Sequence, residues 1–293
     1  MSGLQYHVDG ELVRSDEATV SVEDRGFRYG DGAFETLRAY GGTTFEWEAH
    51  EDRLRRTCET LGMAGAVPGD LRERVRETLA ANDLQEAYVR VSVTRGPQSG
   101  KLMPDPEVDP TVVVVVKRLR RGGVEGDPVW ATPAVVETVE TRRIPDESIP
   151  ADAKTHNYLN GILARLELQQ GSERIPDEAL LRDTDGFLAE GATSNLFFVE
   201  DGTLKTPSTD GPVLPGITRS VVLDLARAEA FPVEVGRYRP AALAHADEVF
   251  LTNTTWEIRP VAEVDGHEIG GGPITELLSR LFDERVEREH YGE

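Results

Sequence analysis

The nine residues Arg120-Arg121-Gly122-Gly123-Val124-Glu125-Gly126-Asp127-Pro128 constrain the fold more than any other stretch. Glycines closed by a proline continue neither a helix nor a strand, so they mark a connection. They follow the β-branched run Thr111 to Val116 and divide 293 residues into two parts, each long enough to bury a core. The expectation is a smaller mixed domain over 1–119, a connection over 120–128 and a larger domain over 129–293. Cys58, the single cysteine, cannot pair within the chain, so packing must hold both parts. Its ordinary role is a small core residue.

Periodicity supplies the elements. Tyr6 to Val13 alternates around Asp9-Gly10 and reads as a hairpin, and Gly32 to Tyr40 as a strand. Leu54, Cys58 and Leu61, then Leu71, Val75 and Leu79, recur at helical spacing. Tyr88 to Thr94 and Thr111 to Val116 read as strands. In the second half, helices are expected over 157–170, 218–230 and 274–287, and strands over 179–181, 196–199 and 248–252. Helices and strands do not alternate regularly, so the expected class is mixed α and β (α+β) in two lobes.

Charge excludes several partners. With 53 acidic against 32 basic residues the net charge is −21, which disfavours nucleic acid and anionic membranes. The apolar run Val112 to Val116 is too short to span a bilayer, and no N-terminal stretch resembles a signal peptide, so a cytoplasmic protein is expected. Lysine occurs at Lys101, Lys117, Lys154 and Lys205 alone. Such a carboxylate-rich, lysine-poor surface suits concentrated salt, which screens charge over roughly 3 Å at 1 M, and suggests a halophilic source.

Three segments carry chemistry. Lys154 stands in Ala153-Lys154-Thr155-His156-Asn157-Tyr158, ahead of an amphipathic helix, and offers a primary amine that arginine cannot replace in a Schiff base. A solvated surface lysine is the plainer reading on rarity alone. Glu190 sits between two strand-like stretches in Gly186 to Phe198, where small residues admit a flat ligand; a solvated turn carboxylate is the alternative. Leu214-Pro215-Gly216-Ile217-Thr218-Arg219 opens into a helix whose free N–H groups suit a phosphate or simply accept a threonine cap. His50 and His156 adjoin motifs without zinc-like spacing, and no metal is expected.

Taken in order, these segments resemble fold-type IV enzymes dependent on pyridoxal 5′-phosphate (PLP), the group of branched-chain and D-amino-acid aminotransferases and aminodeoxychorismate lyases. Asp24 to Glu35 looks like that family's N-terminal signature and His50 to Leu54 like its phosphate-arginine segment. Lys154, the Glu190 stretch, the loop 214–219 and Thr252 to Val261 follow in family order. The resemblance implies that Lys154 forms the Schiff base and shuttles the proton, and that Glu190 meets the pyridine nitrogen. Arg53, Ile217, Thr218 and Thr254 would hold the phosphate, and Tyr158 the phenolic oxygen. Tyr29, Phe34, Tyr88, Arg90 and Thr255 fall to the substrate pocket; plain packing and a surface ion pair are the alternatives for the aromatics and Arg90.

The expected reaction moves an amino group from a branched-chain-like amino acid to a 2-oxo acid such as 2-oxoglutarate. A lyase releasing pyruvate and 4-aminobenzoate is the first alternative, and a non-catalytic PLP-binding homologue the second. The Arg-x-His carboxylate trap of D-amino-acid enzymes is missing after Thr94. A homodimer is likewise implied by the resemblance.

Overall fold

The computed structural model describes residues 3–124, 126–171 and 175–292, so Glu125 of the expected connection lies outside the described residues. Two compact units emerge. The first is Met1–Arg121 with Ala153–Asn157 and Glu289–Glu293; the second is Gly122–Asp152 with Tyr158–Arg288. The return of 153–157 to the first unit departs from a simple division at 120–128. Its cause is backbone pairing, described with the site below.

In the first unit β1 (Gln5–Val8) and β2 (Glu11–Arg14) form the hairpin. Asp9 and Gly10 both take positive φ, as a two-residue turn between twisted strands requires. After the short α1 (Arg25–Tyr29) come β3 (Gly32–Tyr40), β4 (Thr43–Thr44), α2 (Trp47–Thr60), α3 (Leu71–Ala81), β5 (Ala87–Thr94) and β6 (Val112–Arg118). The sheet runs β2-β1-β6-β5-β3-β4, and each neighbouring pair is antiparallel.

Side chains alternate across a strand, so the two faces differ. One face carries Ala33, Leu37, Val89, Val91, Val93, Val112, Val114 and Val116, packed with Leu54, Cys58, Val75 and Leu79 of the helices. Burial pushes the Cys58 thiol up to about 12, so it serves as a core residue. The register Phe34↔Ser92, Thr36↔Arg90 and Arg38↔Tyr88 puts a different set on the opposite face.

The second unit contains β7 (Ala134–Arg142), α4 (Leu159–Gly171), β8 (Glu178–Arg182), β9 (Leu188–Gly191), β10 (Asn195–Glu200), β11 (Thr203–Pro207), α5 (Ile217–Ala228), β12 (Val233–Gly236), β13 (Glu248–Asn253), β14 (Glu257–Val264), β15 (His267–Glu268) and all but the last two residues of α6 (Pro273–His290). The sheet order is β12-β11-β10-β13-β14-β7-β8-β9, with β15 on β14. Phe197 and Phe250 stack across β10 and β13 at 5.0 Å. Both units mix helix and sheet, as expected.

Several strands of this sheet carry no clear signal in the sequence, and β14 shows why. Pro260 lies inside it opposite Phe250, where a missing N–H ordinarily argues against a central strand. Its pairing with β7 begins only at Val261, opposite Ala134, so Pro260 is paired on the β13 side and lies before the β7 ladder starts.

Candidate active site

In the first unit, the segment around Lys154 lies along the start of β3. Phe34 N donates to Lys154 O (3.0 Å), His156 N donates to Gly32 O (2.8 Å), and Ala33 faces Thr155 in an antiparallel bridge. Lys154 N donates to Thr57 Oγ1 (3.1 Å), and that hydroxyl donates to Arg53 O (2.9 Å). Thr57 is 1% exposed. One hydroxyl thus ties the lysine backbone to the turn of α2 that carries Arg53. Lys154 Nζ stands 4.6 Å from the Phe34 ring centroid.

Arg53 is fixed by a buried carboxylate. Its Nε donates to Glu35 Oε1 and its Nη2 to Glu35 Oε2, both at 2.7 Å, and His50 Nδ1 meets Oε2 at 2.7 Å. Burial would raise the Glu35 carboxyl, but the Arg53 charge and the bonds from Arg53 and His50 overcome it and hold it down to about 2. Burial lowers His50 against the pull of Glu35, so His50 donates as a neutral ring.

The expected substrate residues of this unit are spread more widely. Phe34 is buried, with the Arg90 guanidinium carbon 3.8 Å from its ring centroid. Tyr88 and Arg90 share the strand face of Phe34 and are half-buried. Tyr29 ends α1, partly exposed, with its hydroxyl donating to Gly100 O (3.2 Å).

In the second unit Glu190 lies on β9, 7% exposed. Arg143 Nε donates to its Oε1 at 2.7 Å, and Leu214 N and Asn195 Nδ2 donate to Oε2 at 3.0 and 3.3 Å. Asn195 Nδ2 also donates to Leu214 O (2.9 Å). The side chain of Asn195 therefore joins the carboxylate to the loop that opens α5. Sequence reasoning assigned no role to Asn195 or Arg143; nothing in their spacing flags either.

The first turn of α5 is built for an anion. Gly216 caps it without a side chain, no acid occupies the turn, and Ile217 and Thr218 are buried. Their N–H groups have no intrahelical acceptor, and the dipole adds positive potential there. A Cβ on Gly216 would collide with Asn195 Oδ1, so the loop is bare by necessity. Thr252, opposite Asn195 in the sheet register, carries a buried hydroxyl with no partner among the described residues.

Thr254 and Thr255 sit in the turn after β13. The Asn253 carboxamide organises it by accepting from Thr255 N (3.0 Å), Thr255 Oγ1 (3.0 Å) and Trp256 N (2.7 Å). Tyr158 precedes α4, and its carbonyl accepts from Ile162 N at 3.0 Å. The first unit thus holds an amine and a guanidinium, Lys154 and Arg53, and the second a buried carboxylate, Glu190, and a helix end with free N–H groups. Among the described residues no cluster of three His, Cys, Asp or Glu could hold a metal ion.

Comparison with known proteins supplies the family. Residues 32–264 match the family described as Amino-transferase class IV. The chain is 33% identical over 287 residues to a branched-chain-amino-acid aminotransferase of Pseudomonas aeruginosa, covering 95% of this chain and 91% of that one. It is 33% identical over 297 residues to a D-alanine aminotransferase of Listeria monocytogenes, covering 97% of each. Among solved structures, the branched-chain aminotransferase of the archaeon Thermoproteus uzoniensis with norvaline has a TM-score of 0.87 at 28% identity, covering 99% of this chain and 95% of that one.

Proposed function

Because the chain belongs to the class IV aminotransferases, we propose that it transfers an amino group from a branched-chain or similar apolar amino acid to a 2-oxo acid such as 2-oxoglutarate, using PLP. The observation that carries this is the pinning of Lys154 by β3 and Thr57, in a chain whose whole-length relatives are aminotransferases.

When bound, PLP supplies an aldehyde that takes an amine as a Schiff base and a pyridine ring that accepts an electron pair. Lys154 would hold that aldehyde through Nζ and, as a free amine, would carry the proton at Nζ to and from the substrate carbon. Glu190, oriented by Arg143 and Asn195, pairs with the protonated ring nitrogen. Arg53, the N–H groups of Ile217 and Thr218, and the hydroxyls of Thr218 and Thr254 take the phosphate by charge-assisted hydrogen bonds. Tyr158 donates to the phenolic oxygen. Tyr29, Phe34, Tyr88, Arg90 and Thr255 line the place of the substrate.

Transfer is preferred to the lyase reaction because the relatives matched over nearly the whole chain are named as transferases. The D-alanine aminotransferases among them motivate a second reading, transfer from D-amino acids. Against it, Arg95 is buried and its donors are spent on Asp31, Leu61 O and Gly62 O, which leaves no Arg-x-His trap after Thr94. Incubating the PLP-loaded protein with L-leucine, L-glutamate or D-alanine and 2-oxo acids decides. Transfer from the L-amino acids is expected; transfer from D-alanine alone, or 4-aminobenzoate release without oxo-acid consumption, overturns the proposal.

Assembly and setting belong to the same proposal. Leu159, Ile162, Leu163 and Leu166 form an exposed apolar stripe on α4 at i, i+3, i+4 and i+7. We assign it to a homodimer contact. No helix among the described residues is long and apolar enough to cross a membrane, which suits work in the cytoplasm, and the net charge of −21 suits a salt-rich one.

A further inference from the structure

The first unit holds a polar group that the roles above leave unused. Extended chain sends alternate side chains to opposite sides. Along the bridge to β3, Lys154 and His156 therefore leave the same face, and buried Thr155 the other. Both reach one ring: the His156 imidazole packs edge-on to Phe34 at 5.8 Å, beside the contact Lys154 makes. Arg90 occupies that ring as well.

The two ring nitrogens of His156 differ. One bonds to the Ala33 carbonyl, and Nε2 is buried without a hydrogen-bond partner. A nitrogen facing a carbonyl carries the proton, so the neutral ring leaves Nε2 as a lone-pair acceptor. Arg90 donates through Nε to Ser92 Oγ (3.3 Å), and no carboxylate pairs with it among the described residues. A guanidinium with donors to spare is a receptor for a carboxylate.

We infer that His156 is a specificity-determining residue of the substrate pocket: its Nε2 takes up a proton from solvent when a dicarboxylate docks on Arg90, and it stays neutral against an apolar side chain. The inference rests on the substrate role given to Arg90 above. Charge explains the switch. Burial first, and then the Arg90 charge, hold the free imidazole down to about 4, with the Ala33 carbonyl and Asp24 opposing. Lys154 adds a second positive charge against the same Phe34 ring, and Arg38 follows farther along that face of β3. A carboxylate on Arg90 cancels the main charge working against protonation and supplies an acceptor for the new N–H. With an apolar substrate the same ring offers an uncharged edge. One wall then serves both partners of a transfer between unlike amino acids.

The test uses the PLP-loaded protein with glutarate and 4-methylvalerate as dicarboxylate and apolar monocarboxylate probes. Calorimetric titration at pH 6 in two buffers of different ionisation enthalpy counts protons taken up. Glutarate binding should draw in a proton that 4-methylvalerate binding does not, and His156→Gln, which keeps a hydrogen-bonding amide, should abolish the difference. In turnover, His156→Leu should lower the ratio of kcat/KM for L-glutamate to that for L-leucine by about tenfold or more, the scale of a lost charge-assisted bond. Equal proton counts for the two probes, or an unchanged ratio in the variant, overturns the inference while amino transfer stands. Absence of amino transfer in the wild-type protein instead overturns the proposed function.

Discussion

Glu35 is 1% exposed and answers to Arg53 and His50 together, so its loss leaves a buried guanidinium without its countercharge. Breaking a buried pair from one side costs about 3–5 kcal/mol, and Glu35→Gln should lower the thermal midpoint accordingly. A carboxyl held below its ordinary value of 4.5 adds stability above that pH and gives it up as pH falls toward about 2. Acid unfolding followed by circular dichroism should therefore be steep over that window in the wild type and flatter in Glu35→Gln. The same variant should bind PLP more weakly, because Arg53 loses the carboxylate that orients it. At Thr57 the expectation differs: Thr57→Val removes both the acceptor for Lys154 N and the donor to Arg53 O. We expect weaker PLP binding and a displaced absorption maximum for the PLP-loaded protein, with Thr57→Ser restoring both. An unshifted spectrum in Thr57→Val would remove Thr57 from the positioning of Lys154.

At the scale of elements, the anion-ready end of α5 depends on an absent side chain. Gly216→Ala forces a Cβ into Asn195 Oδ1 and should weaken PLP affinity by about tenfold or more, measured by fluorescence titration, through loss of first-turn hydrogen bonds to phosphate. Much of this level was legible beforehand. Strand β3 lies over the residues its apolar pattern marks, and α2, α3, α5 and α6 fall within a few residues of their helical spacing. Strands such as β7 and β14 escaped, since β14 carries a proline and meets β7, a strand distant in sequence, only beyond it. The site divides in the same way. As candidates, Lys154, Glu190 and the loop before α5 stand out by residue type and turn chemistry. Arg143, Thr57 and the paired Glu35 meet partners 47, 97 and 18 residues away, Asn195 reaches Leu214 19 residues on, and no local pattern encodes such pairs.

For the whole molecule, 53 acids against 32 bases repel one another unless ions screen them. The thermal midpoint should rise as KCl goes from dilute buffer toward molar levels; a fall would remove the salt-adapted reading. The stripe on α4 gives a separate expectation, that Ile162→Asp shifts sedimentation from dimer to monomer, and an unshifted dimer would place the contact elsewhere. The path of the chain sets a last condition. Residues 153–157 leave the second unit, pair with β3 and return. A protease that cut the glycine-rich connection would not release two self-contained halves, because the N-terminal fragment would lose Lys154 and the segment that pairs with β3. Ancestral exchange of either half for a foreign module would meet the same obstacle, so the two must be inherited as one.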